Sequence, residues 1–301
     1  MKAVGYYLSL PFLYFISILP LPVLYALSDF LYVIIYYVIG YRKAVVRLNI
    51  KNSFPEKTQE ERLKIERDFY KYIVDFFLEM FKCLTIPKEK LLERISLGNK
   101  EIIEELYKKG ENIIITTGHY GNHEWVNQVL PYLLPYKIKT IYRTQHNPFF
   151  DRLFMGFRSK YGTEMIAMND SYKEMRKKDA DPFVLIVAND QSAVPDKAFW
   201  TTFLNQETSF FTGTEVFAHK FNIPVVFVCI TRPSRGRYHA IFEMITEHPQ
   251  EFPKGKILEM HAQKLEKYIR QDPAPWMWSH KRWKYKKING KYVDVNYKHE
   301  N

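Results

Sequence analysis

Residues 117–125 read Thr117-Gly118-His119-Tyr120-Gly121-Asn122-His123-Glu124-Trp125. An imidazole takes up a proton near neutral pH, and a carboxylate bonded to it fixes its tautomer and stabilises the imidazolium. His119 and Glu124, with four residues between them, can form such a pair: a general base and the acid that orients it. The pair needs an external nucleophile, because no Ser or Cys stands beside it in the sequence. His123 is a second candidate, as a base or a metal ligand. The His-Glu-x-x-His zinc spacing fails, since position 127 is Asn. His119 and His123 have no evident third ligand, so no metal is expected. The competing expectation is local: His119 caps a turn and does nothing more.

Chemistry at His119 requires elements that hold it. Residues 113–117, Ile-Ile-Ile-Thr-Thr, form a β-branched run that predicts a buried strand. His119 then stands at the strand's carboxyl end, where open α/β sheets place their sites. Residues 124–134 predict the following helix, with Glu124 in its first turn. Further strands are expected at 138–142, 164–168, 183–187, 224–231 and 238–245. Helices are expected at 101–109, 149–161, 171–178, 214–221 and 256–270. This alternation predicts an α/β domain, a mixed and largely parallel central sheet flanked by helices. Residues 59–84 predict an amphipathic helix, with Ile65, Phe69, Tyr72, Ile73, Phe76, Phe77, Met80 and Leu84 on one stripe.

The 301 residues are 47% apolar and 16% aromatic, with a formal net charge of +11, which excludes a disordered chain. A mean hydropathy of -0.31 argues against many membrane spans. The two cysteines, Cys83 and Cys229, are too few and too far apart for a disulfide framework. The positive charge favours a polyanionic partner, and aromatics among cations suit a membrane interface. From residue 3 to 41 the only charge is Asp29, and Pro11, Pro20 and Pro22 are expected to interrupt the run. That stretch can be read as a spanning anchor, a broken helical hairpin in one leaflet, a signal peptide or a buried helix pair. Arg42, Lys43 and Arg47 follow it, which places the remainder on the cytoplasmic side. The expected partition is a membrane-associated segment, 1–41, and a catalytic domain, 42–301. Residues 280–291 carry Lys281, Arg282, Lys284, Lys286, Lys287 and Lys291 without an acid, with Trp276, Trp278 and Trp283 before or among them. No nucleic-acid module is recognisable, so the tail is expected to meet anionic lipid or an acidic carrier protein.

His119 and Glu124 form an H-x4-[D/E] motif that resembles the glycerolipid acyltransferase superfamily and, within it, the bacterial lipid A late acyltransferases. Other blocks are similar in order and spacing. They are Arg42 with Asn49 and Phe54-Pro55; Ile141-Tyr142-Arg143 with Asn147-Pro148; Asn189-Asp190-Gln191, followed by Phe203 and Gly213; Pro224-Val225-Val226; and the tail from Pro275 to Trp283. The third block departs from the family pattern, reading Ser192-Ala193-Val194-Pro195-Asp196 where further glycines are common.

The resemblance implies transfer of an acyl group from a thioester, on acyl carrier protein or coenzyme A, to a hydroxyl of a lipid A precursor or related lysolipid. His119 is the implied base and Glu124 its orienter; the oxyanion that develops needs nearby donors, such as backbone N–H groups of the 118–122 turn, which the sequence does not single out. Arg143, just after a strand, is placed to fork onto a phosphate or carboxylate of the acceptor, the alternative being a surface arginine in an ion pair. Asp190, Gln191 and Asn122 are the implied lining of the acceptor site, although Asn122 can also simply cap its turn. No resident cofactor is implied. The expected location is the cytoplasmic face of a bacterial inner membrane. A non-catalytic lipid-binding protein and a membrane esterase are the alternatives.

Overall fold

The structure, a computed structural model, describes residues 2–177, 179–288 and 291–295. Lys178, the expected end of one helix, and the last six residues of the tail lie outside the described residues. The apolar N-terminus forms α1 (Lys2–Ile18) and α2 (Leu21–Val33), with a π-helical turn, Ile34–Ile39, extending the second. Pro11 was expected to interrupt this run but lies inside α1. Packing of Leu13 and Ile16 against the body outweighs the one lost backbone donor. The break comes at Pro20, whose extended backbone opens α2, with Pro22 tolerated in the first turn. Leu21–Ile39 is long and apolar enough to cross a membrane, yet it packs along α4 (Gln59–Lys82), as does α1. Lys82 closes the end of α1, donating to the Ser17 and Leu19 carbonyls at 2.6 and 2.7 Å.

Thr58 and Glu61 form a reciprocal capping box at the start of α4. Its apolar stripe then faces inward as expected, except that Phe77 is exposed. Between α2 and α4 runs α3 (Lys43–Ser53). After α4 come α5 (Lys88–Leu92), β1 (Ile95–Gly98), α6 (Glu101–Lys108), β2 (Ile113–Thr117) and α7 (His123–Leu133). The chain continues through β3 (Lys137–Tyr142), α8 (Pro148–Arg158), β4 (Glu164–Ala167), α9 (Ser171–Met175) and β5 (Phe183–Ala188). A hairpin of β6 (Ala198–Phe203) and β7 (Gln206–Phe211) precedes α10 (Gly213–Phe221), β8 (Val225–Ser234), β9 (Arg237–Thr246) and α11 (Lys256–Gln271). A small hairpin, β10 (Tyr285–Ile288) and β11 (Lys291–Asp294), ends the described chain.

Among the described residues, seven strands form the central sheet in the order β1-β9-β8-β2-β5-β3-β4. The only antiparallel pairing in this sheet is β8 with β9; its other pairings are parallel. The expected mixed, largely parallel α/β fold is therefore present. Every residue of β2 is buried, because helices cover both faces. Ile113 and Ile115 point toward α7 and Trp125, while Ile114 points toward the opposite cluster with Phe227 and Leu265. The strand β2 lies between β5 and β8, so its carboxyl end is flanked by the ends of two neighbours.

Candidate active site

The β2–β5 register decides which side chains meet. Thr117 stands opposite Ala188, and the Asn189 N–H continues the ladder by donating to the Thr117 carbonyl at 3.0 Å. Two residues beyond that pair, His119 and Asp190 face each other. Asp190 Oδ1 lies 2.6 Å from His119 Nδ1, and Asp190 Oδ2 accepts the His119 backbone N–H at 2.8 Å. The Trp276 indole N–H donates to the same Oδ2 at 2.9 Å. With the proton on Nδ1, directed at a carboxylate, Nε2 of the neutral ring keeps its lone pair. The Gln191 amide nitrogen lies 3.2 Å from that Nε2.

Burial disfavours charge on both members of this pair, and their mutual attraction outweighs it. Asp190 is thereby held well below the usual carboxylate range, and His119 is raised above an ordinary histidine. The His119 side chain remains 22% exposed, so it can be reached from outside.

The turn carrying His119 is built by close approach. Gly121 has φ +68°, and a Cβ there would lie 1.9 Å from the Ile230 carbonyl oxygen. Its N–H donates to the Pro275 carbonyl at 3.2 Å. Gly121→Ala is therefore expected to destabilise the protein by more than ~3 kcal/mol, adding a backbone clash to left-handed strain. Thermal unfolding in detergent checks this, with Gly213→Ala, where the added Cβ meets nothing within 4 Å, as the silent control.

Asn122 was expected to meet substrate, and the structure places it elsewhere. It is fully buried, its side-chain oxygen caps α7 by accepting the Trp125 N–H at 3.0 Å, and its amide donates to Glu79 at 2.7 Å. Glu124 differs from expectation in its partner. Its position in the first turn of α7 turns it toward the last turn of α8, where Arg158 grips both carboxylate oxygens. Burial pushes the Glu124 carboxyl up, and Arg158 reverses this and holds it below its ordinary range. The imidazole's orienting carboxylate in this structure is thus Asp190. The His123 ring packs on Phe76 and edge-on to His119, and burial pushes it down to about 4, so it is neutral at physiological pH.

His119, His123, Glu124, Arg158 and Gln191 open onto one cavity of about 230 Å³. Ile141, Met165, Met168, Ile186, Ala188 and Phe211 give it an apolar wall, and exposed Arg143 stands at its rim. Among the described residues, no three His, Cys, Asp or Glu side chains gather to hold a metal.

Two residues of the site had no local signal. Arg158 reaches Glu124 across 34 positions, and Trp276 reaches Asp190 across 86. The tail itself differs from expectation. Trp276, Trp278, Arg282 and Trp283 are buried in the body, so the aromatics serve its core and do not face a partner.

The sequence matches the family model for bacterial lipid A biosynthesis acyltransferases over residues 1–285. It is 26% identical over 135 residues to the lipid A biosynthesis myristoyltransferase of Escherichia coli (strain K12) and, to the same extent, to lipid A biosynthesis acyltransferase 1 of Shigella flexneri. The matched stretch is 44% of this chain and 40% of each relative, so the chain spans well under two thirds of the curated relatives it matches. The family match runs through the His119 turn, both strand ends that form the cavity and the buried tail. The chain belongs to the bacterial lipid A biosynthesis acyltransferase family.

Proposed function

We propose that the protein transfers a fatty acyl group from a thioester to a hydroxyl of a lipid A precursor at a membrane surface. The observation that carries this reading is the state of His119. Its Nδ1 is fixed by Asp190, while Nε2 faces a cavity with an apolar wall and an arginine at its rim. Nε2 takes the acceptor hydroxyl's proton as the oxygen attacks the thioester carbonyl. The C–O bond forms, the C–S bond breaks, and the imidazolium returns its proton to the leaving thiolate. Arg158 and the amino-terminal end of α7 line the space where the oxyanion develops and stabilise its charge. The apolar wall takes the acyl chain, and Arg143 meets an acidic group of the acceptor. The thioester, on acyl carrier protein or coenzyme A, is a co-substrate.

Membrane attachment is supported by the outer faces of α1 and α2. Leu8, Phe12, Phe15, Phe30, Val33 and Val38 are all exposed there. Their inner faces are fixed to α4, which favours a helix pair bedded in the cytoplasmic leaflet of the inner membrane, with 42–301 forming the catalytic domain.

The test is incubation with acyl thioesters and a lipid A precursor, read by lipid mass spectrometry and thiol release. Folded His119→Ala is expected to lose at least about a hundredfold in rate. Full activity in that variant overturns the proposal. Thiol release yielding only free fatty acid makes the protein an esterase, and lipid binding without thiol release makes it a non-catalytic binder.

A further inference from the structure

The Asp190 carboxylate makes three hydrogen bonds among the described residues, and two of them come from His119 itself. Those two move with the residue that Asp190 is meant to position. The third, from the Trp276 indole, ties the carboxylate to a different part of the chain. Trp276 is only 1% exposed and packed between Phe203, Trp278 and Trp283. Its backbone also bridges to Tyr120, the residue after His119.

The segment that carries Trp276 is held from outside the sheet. Asn49, on α3, donates to the carbonyls of Trp278 and His280 at 2.8 and 2.9 Å. Arg42 donates to the Ser279 carbonyl at 3.0 Å, and the Phe54 ring packs on Trp278. From the other side, Ser192 Oγ bonds the Arg282 carbonyl at 2.6 Å. The fixed chain thus runs from α3 through the tail to one carboxylate oxygen.

We propose that Trp276 is a positioning residue for acyl transfer: its indole N–H fixes Asp190 independently of His119, and so sets the proton affinity of the base. The inference rests on the acyl-transfer reading only for its effect on rate. The charged groups around His119 are Asp190, Glu124 and Arg158, with His123 and His280 both kept neutral by burial. His261, also neutral, faces Asp190, and Arg282 and Arg42 act on these neighbouring histidines, Arg282 on both His261 and His280 and Arg42 on His280. None of these changes when one indole N–H is removed.

The indole N–H draws negative charge toward Oδ2. Without it the carboxylate attracts the imidazolium more strongly and is free to turn. In Trp276→Phe, the His119 titration is expected to move upward by about half a unit. The plateau kcat is expected to fall about tenfold with KM little changed. The titration is followed by NMR of histidine-labelled full-length protein in detergent, with His119→Gln assigning the signal. Trp278→Phe is the control. It removes an indole N–H that bonds the Pro273 carbonyl at 2.7 Å in the same tail, and should leave the titration in place. If Trp276→Phe does not fold, benzothienylalanine at position 276 keeps the ring's shape and removes only the N–H. An unmoved His119 titration in either folded form overturns the proposal, as does an equal movement in Trp278→Phe. A parent protein that makes no acylated lipid defeats the acyl-transfer reading instead, and leaves the titration result standing.

Discussion

Asp190→Asn is expected to stay folded and to lose about four orders of magnitude in kcat, the scale seen when a base's orienting carboxylate becomes an amide. The amide can turn its NH2 toward His119 Nδ1, which places the ring proton on Nε2, where the acceptor's proton must go. The pH profile supplies a second reading. A general base works when neutral, so activity falls as pH drops through the pKa of His119. Burial pulls that pKa down and Asp190 more than restores it, so the acid limb of kcat/KM should lie above the ~6.5 of a free histidine. In the Asp190→Asn variant burial and Arg158, which lower the pKa, face only the opposing pull of Glu124, and the limb of the residual activity should move down. Retention of more than about a tenth of parental turnover would return the orienting role to Glu124.

Glu124→Ala is expected to act on stability first. It leaves the Arg158 guanidinium, which is mostly enclosed, without its carboxylate, a loss of about 3–5 kcal/mol. Unfolding in detergent measures it. Turnover should also fall, because Arg158 then no longer holds its place on the cavity wall. If Glu124 acts through Arg158, Glu124→Ala and Arg158→Ala lower kcat by similar factors, and the double variant is no worse than either. A double variant whose losses multiply would show that Glu124 has a separate contact with the reacting groups.

These two carboxylates also show how far the sequence could be read. The His119 turn was legible because a β-branched strand, two glycines and a helix start lie within a dozen residues. Asp190 was legible as a strand-end residue of the same rim. Its partnership with His119 needed the knowledge that β2 and β5 are neighbours and that Thr117 pairs with Ala188. Glu124 looked like the imidazole's partner because it is near in sequence. A helix's first turn fans its side chains over a wide angle, and Glu124 points toward α8. The β6–β7 hairpin went unread because its turn is Leu204-Asn205, both with positive φ, in place of an Asn-Gly signal. The tail misled for a related reason. Tryptophans among lysines suit a surface by composition, and only packing shows that the rings point inward.

Asp29 looked at first like a blemish in an apolar run. In the folded chain it pairs with Arg235 at 2.8 Å, while Ser28 bonds Asp75 at 2.6 Å and Tyr25 bonds Glu79 at 2.7 Å. Residues 25, 28 and 29 share one side of α2. The hydrophobic effect is non-directional, so a smooth apolar helix has no preferred rotation about its own axis. Three polar groups along one side give α2 a rotational phase. Turning the helix would strip all three bonds at once, so the exposed apolar side chains Val23, Phe30, Val33 and Tyr37 stay presented outward. The few polar letters in this segment carry its orientation, and the many apolar ones carry only its affinity.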